Sequence, residues 1–274
     1  MTLARAPLEV LPAKEVPGRV TVTMGRRSGS ATGPGAVEII LDASGSMLQK
    51  IHGARRIDIA KRTLTELTGK TIPAGTPFAL RVFGRQAGSC GTEFDIPVSP
   101  LDAGQVATRI AALQAQARAK TPIAASLEKV GEDLHGVTGE RVVILITDGE
   151  ETCGGQPLTA IDNLKKKGFN VRINIVGFAI EDQKLKSTFR LWSRAGNGDY
   201  FDARDAKGMT QALKQALDPR FELVDGKGVP VTEGKVGGEP VFVMPGTYDV
   251  RLKSGAIAGK SVTIRANETT AVAF

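Results

Sequence analysis

From Ala36 onward the apolar positions of this sequence switch repeatedly between two spacings. Near-continuous apolar runs stand at 36–42, 78–83, 141–147 and 171–178. Runs of this kind predict strands covered on both faces, as in a parallel sheet. Between them apolar residues return every three or four positions, the spacing of an amphipathic helix. Ile57, Ala60, Leu64 and Leu67 predict one such helix, and Val106, Ile110, Leu113 and Ala117 a second. Ile123, Leu127, Val130 and Leu134 predict a third, and Leu158, Ile161 and Leu164 a fourth that Gly168 should close. Leu185, Phe189 and Trp192 form another helical face, as do Met209, Leu213 and Leu217. Glu93–Val98 alternates and should pair antiparallel with the strand before it, and Tyr200-Phe201 marks a short last strand. Strands alternating with helices predict an α/β, doubly wound and mainly parallel Rossmann-like sheet with right-handed crossovers. Ligands of such sheets bind at the carboxyl edge.

The pattern changes after Asp218-Pro219. Only short alternating segments separated by glycine-rich turns follow, at 221–224, 229–231, 241–244, 248–252, 261–264 and 269–274. They predict a small antiparallel β-sandwich. Within it Met244-Pro245-Gly246-Thr247-Tyr248-Asp249-Val250 resembles a turn of bacterial carboxypeptidase-regulatory-like sandwiches. Residues 1–35 are rich in Pro, Gly and Ser, with one alternating stretch, Val20–Thr23, expected to add a strand to that sandwich. The expected division is therefore 1–35, 36–218 and 219–274, the middle part being inserted between the other two.

Candidate chemistry begins where the first apolar run ends. Asp42, Ser44 and Ser46 follow at steps of two, so a bending loop can aim one carboxylate and two hydroxyls at a common centre. Hard oxygen donors of this kind suit Mg²⁺ rather than zinc or copper. The same residue types also serve as ordinary turn and capping residues. Two later segments add to the case. Thr121 precedes Pro122 at a predicted helix entrance, where the plain use of its hydroxyl is an N-cap. Asp148 and Gly149 end the run Arg141–Thr147, whose carboxyl end should face the same edge as Asp42.

The combination of D-A-S-G-S at 42–46, the loop threonine Thr121 and T-D-G at 147–149 resembles the von Willebrand factor A domains, over roughly residues 36 to 218. The resemblance implies a metal-ion-dependent adhesion site (MIDAS) made by Asp42, Ser44, Ser46, Thr121 and Asp148. It implies Mg²⁺ as the cation, with Mn²⁺ or Ca²⁺ as substitutes, and an open coordination position. An Asp or Glu of a protein partner would fill that position. Where the family usually has glycine two residues before the threonine, this chain has Ala119, so the resemblance leaves the path of that loop and the reach of Thr121 to be found. The expected function is adhesion or protein binding without enzymatic activity. The alternative is a Mg²⁺-dependent phosphohydrolase with Asp42 as nucleophile. That reading lacks the second acid two residues on, where Ser44 stands.

Composition narrows this further. The formal charge of +7 is carried by scattered Lys and Arg, and aromatics make up 5% of the chain. No basic–aromatic platform for nucleic acid is formed. No apolar run reaches the roughly 20 residues of a membrane span. Met1–Val10 lacks a signal-peptide core, which reads as a cytosolic start or a mature segment with an added initiator. Cys90 and Cys153 both follow predicted strands at the same sheet edge, so a disulfide is favoured over two free thiols. A bridge implies a periplasmic or extracellular setting, and free thiols would fit the cytoplasm. Partner identity and oligomeric state are not encoded legibly.

Overall fold

The computed structural model describes residues 16–24, 34–254 and 259–274. The chain forms two compact units. One is Gly33–Asp218, and the other joins the described residues of Met1–Thr32 to those of Pro219–Phe274. In chain order the elements are β1 (Gly18–Thr23), β2 (Ala36–Asp42), the hairpin of β3 (Lys50–Ile51) and β4 (Ala54–Arg55), and α1 (Arg56–Lys70). Then come β5 (Pro77–Phe83), β6 (Thr92–Pro100), α2 (Ala103–Ala112), α3 (Ile123–Asp133), β7 (Arg141–Thr147) and α4 (Pro157–Lys166). The α/β unit closes with β8 (Val171–Phe178), α5 (Gln183–Ala195), β9 (Tyr200–Ala203) and α6 (Ala206–Ala216).

Six strands form the central sheet in the order β6-β5-β2-β7-β8-β9. All neighbours run parallel except β6, which is antiparallel to β5. The chain winds from β2 toward one edge and then returns to β7 on the other side. The β2/β7 boundary is therefore the topological switch point, where ligands bind in such sheets. Every residue of β2 and β8 is buried, because both faces are covered. On one face Ile57, Leu64, Val106, Ile110, Met209 and Leu213 bring α1, α2 and α6 onto the sheet. On the other, Ile123, Leu127, Ile161, Leu164, Phe189 and Trp192 do the same for α3, α4 and α5. The second expected helix ends at Ala112, short of Leu113 and Ala117. There the chain turns extended, and the N–H of Gln116 donates to the carbonyl of Ala43 at 3.0 Å, which docks the loop onto the end of β2.

A cluster of polar groups also lies inside this core. Glu38, in the middle of β2, is fully buried. Arg81 on β5 forms a bidentate pair with Asp133 of α3, both contacts 2.6 Å, and lies 3.9 Å from Glu38 Oε1. Burial, reinforced by the Asp133 carboxylate and opposed by Arg81, holds Glu38 well above the usual carboxylate range.

In the other unit β10 (Arg220–Val224), β11 (Pro230–Lys235), β12 (Val241–Val243), β13 (Gly246–Leu252), β14 (Lys260–Ile264) and β15 (Thr269–Ala273) join β1. A three-stranded sheet, β12-β1-β15, faces a four-stranded one, β11-β10-β13-β14. They share a core that includes Val20, Val22, Phe221, Leu223, Val250, Leu252 and Val272. Pairings are antiparallel except between β1 and β15, which run parallel. No hairpin turn joins those two strands, so nothing local dictates their relative direction.

Candidate metal site at the carboxyl edge of the sheet

The site is built from two neighbouring strand ends. Leu41 of β2 pairs with Ile146 of β7, so Asp42 and Asp148 leave the sheet side by side. Past Asp42 the chain enters a 3-10 turn, Gly45–Leu48, whose buried Met47 anchors it. Asp42 Oδ1 accepts the N–H of Ser44 at 2.7 Å, the Asx-type contact that turns the loop back over the strand end. Gly84 makes the close approach of β5's following loop feasible: its φ is +80°, and a Cβ there would lie 2.3 Å from Ser44 N.

Further hydrogen bonds, continuing from the Ser44 N–H contact, then link these residues. Thr147 Oγ1 donates to Asp42 Oδ2 at 2.6 Å. Ser44 Oγ and Ser46 Oγ are 3.1 Å apart and hydrogen-bonded. Ser46 Oγ donates to Asp148 Oδ1 at 2.5 Å, and Arg56 Nη1 donates to Asp148 Oδ2 at 2.7 Å. Asp42 and the Asp148 side chain are wholly buried. Burial first, and the nearby Asp148 carboxylate second, push the Asp42 carboxyl up to about 6, against the lowering effect of its Ser44 and Thr147 hydrogen bonds.

Thr121 approaches by another route. Its loop is fastened to the Asp42 loop by Gln116 and by contact of Gly45 with the backbone of Arg118, whose N lies 3.1 Å from a Cβ placed at Gly45. The left-handed residue in this loop is Arg118, φ 60°, so Ala119 stands where no glycine is required. The N-cap of α3 is Pro122, with no side-chain cap, and Thr121 is not spent on that role. Instead its N–H donates to Thr152 Oγ1 at 2.8 Å and its carbonyl accepts from Thr152 N at 3.1 Å. Hydrogen bonds thus join four of the five expected residues, one link running through the Ser44 backbone, while Thr121 is tied by its backbone to Thr152 in the loop after β7.

The loop after β7 is pinned from several sides. Glu151 turns inward: Oε2 accepts from Ala124 N at 2.8 Å and Oε1 from Cys153 N at 2.6 Å. Cys153 is bridged to Cys90, with Cα atoms 5.8 Å apart. Sequence reasoning gave no role to Thr147, Arg56 or Thr152. Thr147 stood within T-D-G, next to Asp148, and that was the available signal. Arg56 looked like any other surface charge.

The donor set fits a hard divalent cation. Among the described residues no three His, Cys, Asp or Glu side chains cluster, so hydroxyls must contribute. Two oxygens at right angles around an ion with bonds of about 2.1 Å lie roughly 3.0 Å apart. The separation of the two serine hydroxyls, 3.1 Å, matches that edge. Asp42 and Asp148 bring two buried carboxylates together, and the Asp148 charge adds to the burial that raises Asp42, an arrangement of the kind a divalent ion relieves.

A doubly wound sheet with an acid–hydroxyl site at its switch point is the architecture of the von Willebrand factor A-type α/β fold. The chain belongs to the von Willebrand factor type A domain family, whose model matches residues 37–215. It is similar to YwmD, an uncharacterized protein of Bacillus subtilis (strain 168), with 34% identity over 190 residues, 65% of this chain and 83% of the relative. Among solved structures it is similar to a von Willebrand factor type A protein from Catenulispora acidiphila, at 16% identity and TM-score 0.56, over 86% of this chain and 67% of that one. It is also similar to proximal thread matrix protein 1 of the mussel byssus, solved with zinc in its MIDAS motif, at 17% identity and TM-score 0.54, over 68% and 45% of the two chains. At these identities the two structures speak to the fold alone.

Proposed function

We propose that the α/β unit is a metal-dependent protein-binding module. Asp42, Ser44, Ser46, Thr121 and Asp148 hold a divalent cation, Mg²⁺ by preference, with Mn²⁺ or Ca²⁺ able to replace it. The observation that carries this reading is the hydrogen-bonded series Thr147–Asp42–Ser44–Ser46–Asp148, which preorganises oxygen donors from two strand ends. Bound there, the ion supplies an electrophilic centre for an anionic ligand. The chain's own residues orient the donors and keep bulk water from the carboxylates. An Asp or Glu of a partner protein provides the last ligand, and the loops around it provide selectivity. Binding is supported over hydrolysis by the residue two positions after Asp42: a phosphohydrolase of the kind considered needs a second acid there, and this chain has Ser44, whose hydroxyl bonds Ser46. The Cys90–Cys153 bridge supports a periplasmic or extracellular setting. Among the described residues no helix is long and apolar enough to cross a membrane.

Isothermal titration with Mg²⁺ and Mn²⁺ tests the site. The native chain should bind one equivalent of ion, and Ser44→Ala or Asp148→Ala should abolish the heat while far-UV circular dichroism stays unchanged. Undiminished metal binding by Asp148→Ala would overturn the reading.

A further inference from the structure

We propose that Arg56 is a charge-competing latch on this site: its guanidinium occupies Asp148 in the metal-free molecule and thereby holds down the site's affinity for a divalent cation. The inference rests on the metal-binding reading above and deepens it.

Arg56 opens α1, delivered by the β3–β4 hairpin, with its N–H donating to Gln49 O at 2.9 Å. Its side chain is 15% exposed, and the Asp148 side chain it meets is fully buried. Nη1 takes one carboxylate oxygen at 2.7 Å while Ser46 takes the other at 2.5 Å. Both oxygens of the second acid are thus committed, one of them to a full positive charge. Arg56 Nε is buried with no hydrogen-bond partner among the described residues. A guanidinium serving as a rigid clamp uses its paired donors on one carboxylate. Arg81 does so on Asp133, with Nε and Nη2 both bonded. Arg56 makes a single charge-assisted contact, which is easier to exchange.

The guanidinium also has somewhere to go. Arg56 lines an open cavity of about 480 Å³ with Lys50, Glu181, Lys186 and Arg204. Glu181 is an exposed carboxylate in that cavity and offers the head group a second anion.

In the metal-free molecule the guanidinium neutralises one of two buried acids that would otherwise repel each other. Once a divalent ion enters, that cation within the same few ångströms becomes repulsive. Linkage makes the effect reciprocal: what Arg56 adds to the metal-free state it subtracts from metal affinity.

The test is titration of the full chain with MnCl₂ and MgCl₂, for the native protein, Arg56→Met and Arg56→Lys. Methionine removes the charge at similar volume, so affinity should rise about tenfold or more. The metal-free melting temperature should fall, and the gain in melting temperature on adding saturating Mn²⁺ should grow. Lysine keeps the charge, and its affinity should stay within about threefold of native. If Arg56→Met does not fold without metal, Arg56→Gln is read in its place. Unchanged or weaker affinity in the neutral variant, with the native chain still binding, overturns the latch and leaves the metal site standing. Binding by the neutral variant alone supports the latch in its strongest form, and binding by neither variant nor native chain removes latch and site together.

Discussion

Two buried acids with opposite roles sit on the same strand. Asp42 is anchored by hydrogen bonds on both oxygens, and Thr147 supplies the one with no backbone alternative. Thr147→Val keeps the shape but leaves Asp42 Oδ2 without its donor. We expect a loss of about 1–3 kcal/mol, read as a lower urea midpoint at unchanged m-value. Glu38 has no such anchor, and its proton affinity is raised by burial and by Asp133. Because the folded state binds that proton more tightly than the unfolded chain, its stabilising effect is complete below the ordinary glutamate pKa of about 4.3. It is lost as pH rises toward the raised folded value. Glu38→Gln should therefore melt higher than the native chain at pH 8 and at the same temperature near pH 4, which a pH series of thermal melts checks. At this scale Asp42, Ser44, Ser46 and Asp148 were legible in the sequence, because each follows a buried run at a fixed step. The partnerships of Thr147 with Asp42 and Arg56 with Asp148 were not. They join residues 105 and 92 positions apart, and no local period records a contact of that kind.

Among the elements, the helices and central strands were readable from spacing because their apolar faces meet a sheet covered on both sides. The loops were less so. Residues 113–117 looked helical through Leu113 and Ala117, yet the hydrogen bond from Gln116 to the end of β2 overrides that period. The 3-10 turn at Gly45–Leu48 and the short hairpin after it have no periodic signature at all. The expected closeness of Cys90 and Cys153 did follow from topology, since both loops leave the same sheet edge. The bridge closes a 63-residue separation and should stabilise the domain by about 4 kcal/mol on the chain-entropy model. The geometry of the site does not depend on it. Glu151 still ties the loop to the start of α3, and Thr152 still ties it to Thr121. Replacing both cysteines by serine should lower the melting temperature markedly while leaving Mn²⁺ affinity within about threefold. A collapse of metal affinity in a still-folded variant would make the bridge part of the site.

At the scale of the whole molecule, the sequence marked the change at Asp218-Pro219 by a loss of helical period. The alternation of Val20–Thr23 pointed to a strand, but its partners and direction lay more than 200 residues away. β1 lies between β12 and β15, pairing with Val241–Val243 on one side and Thr269–Ala273 on the other. Its inward residues Val20 and Val22 belong to the same core as Phe221 and Leu223, a core drawn, among the described residues, from this unit. Each unit therefore buries its own apolar surface, the condition for independent folding. Removing residues 219–274 should leave the amides of β2, β5, β7 and β8 as protected from hydrogen exchange as in the full chain, because none of their ladder partners is lost. The same deletion takes away both neighbours of β1, and a lone strand cannot protect its own amides. Residues 18–23 should then exchange at the rate of an unfolded peptide. Persistent protection there would mean that β1 is held by the α/β unit, and the division of the chain would have to be redrawn.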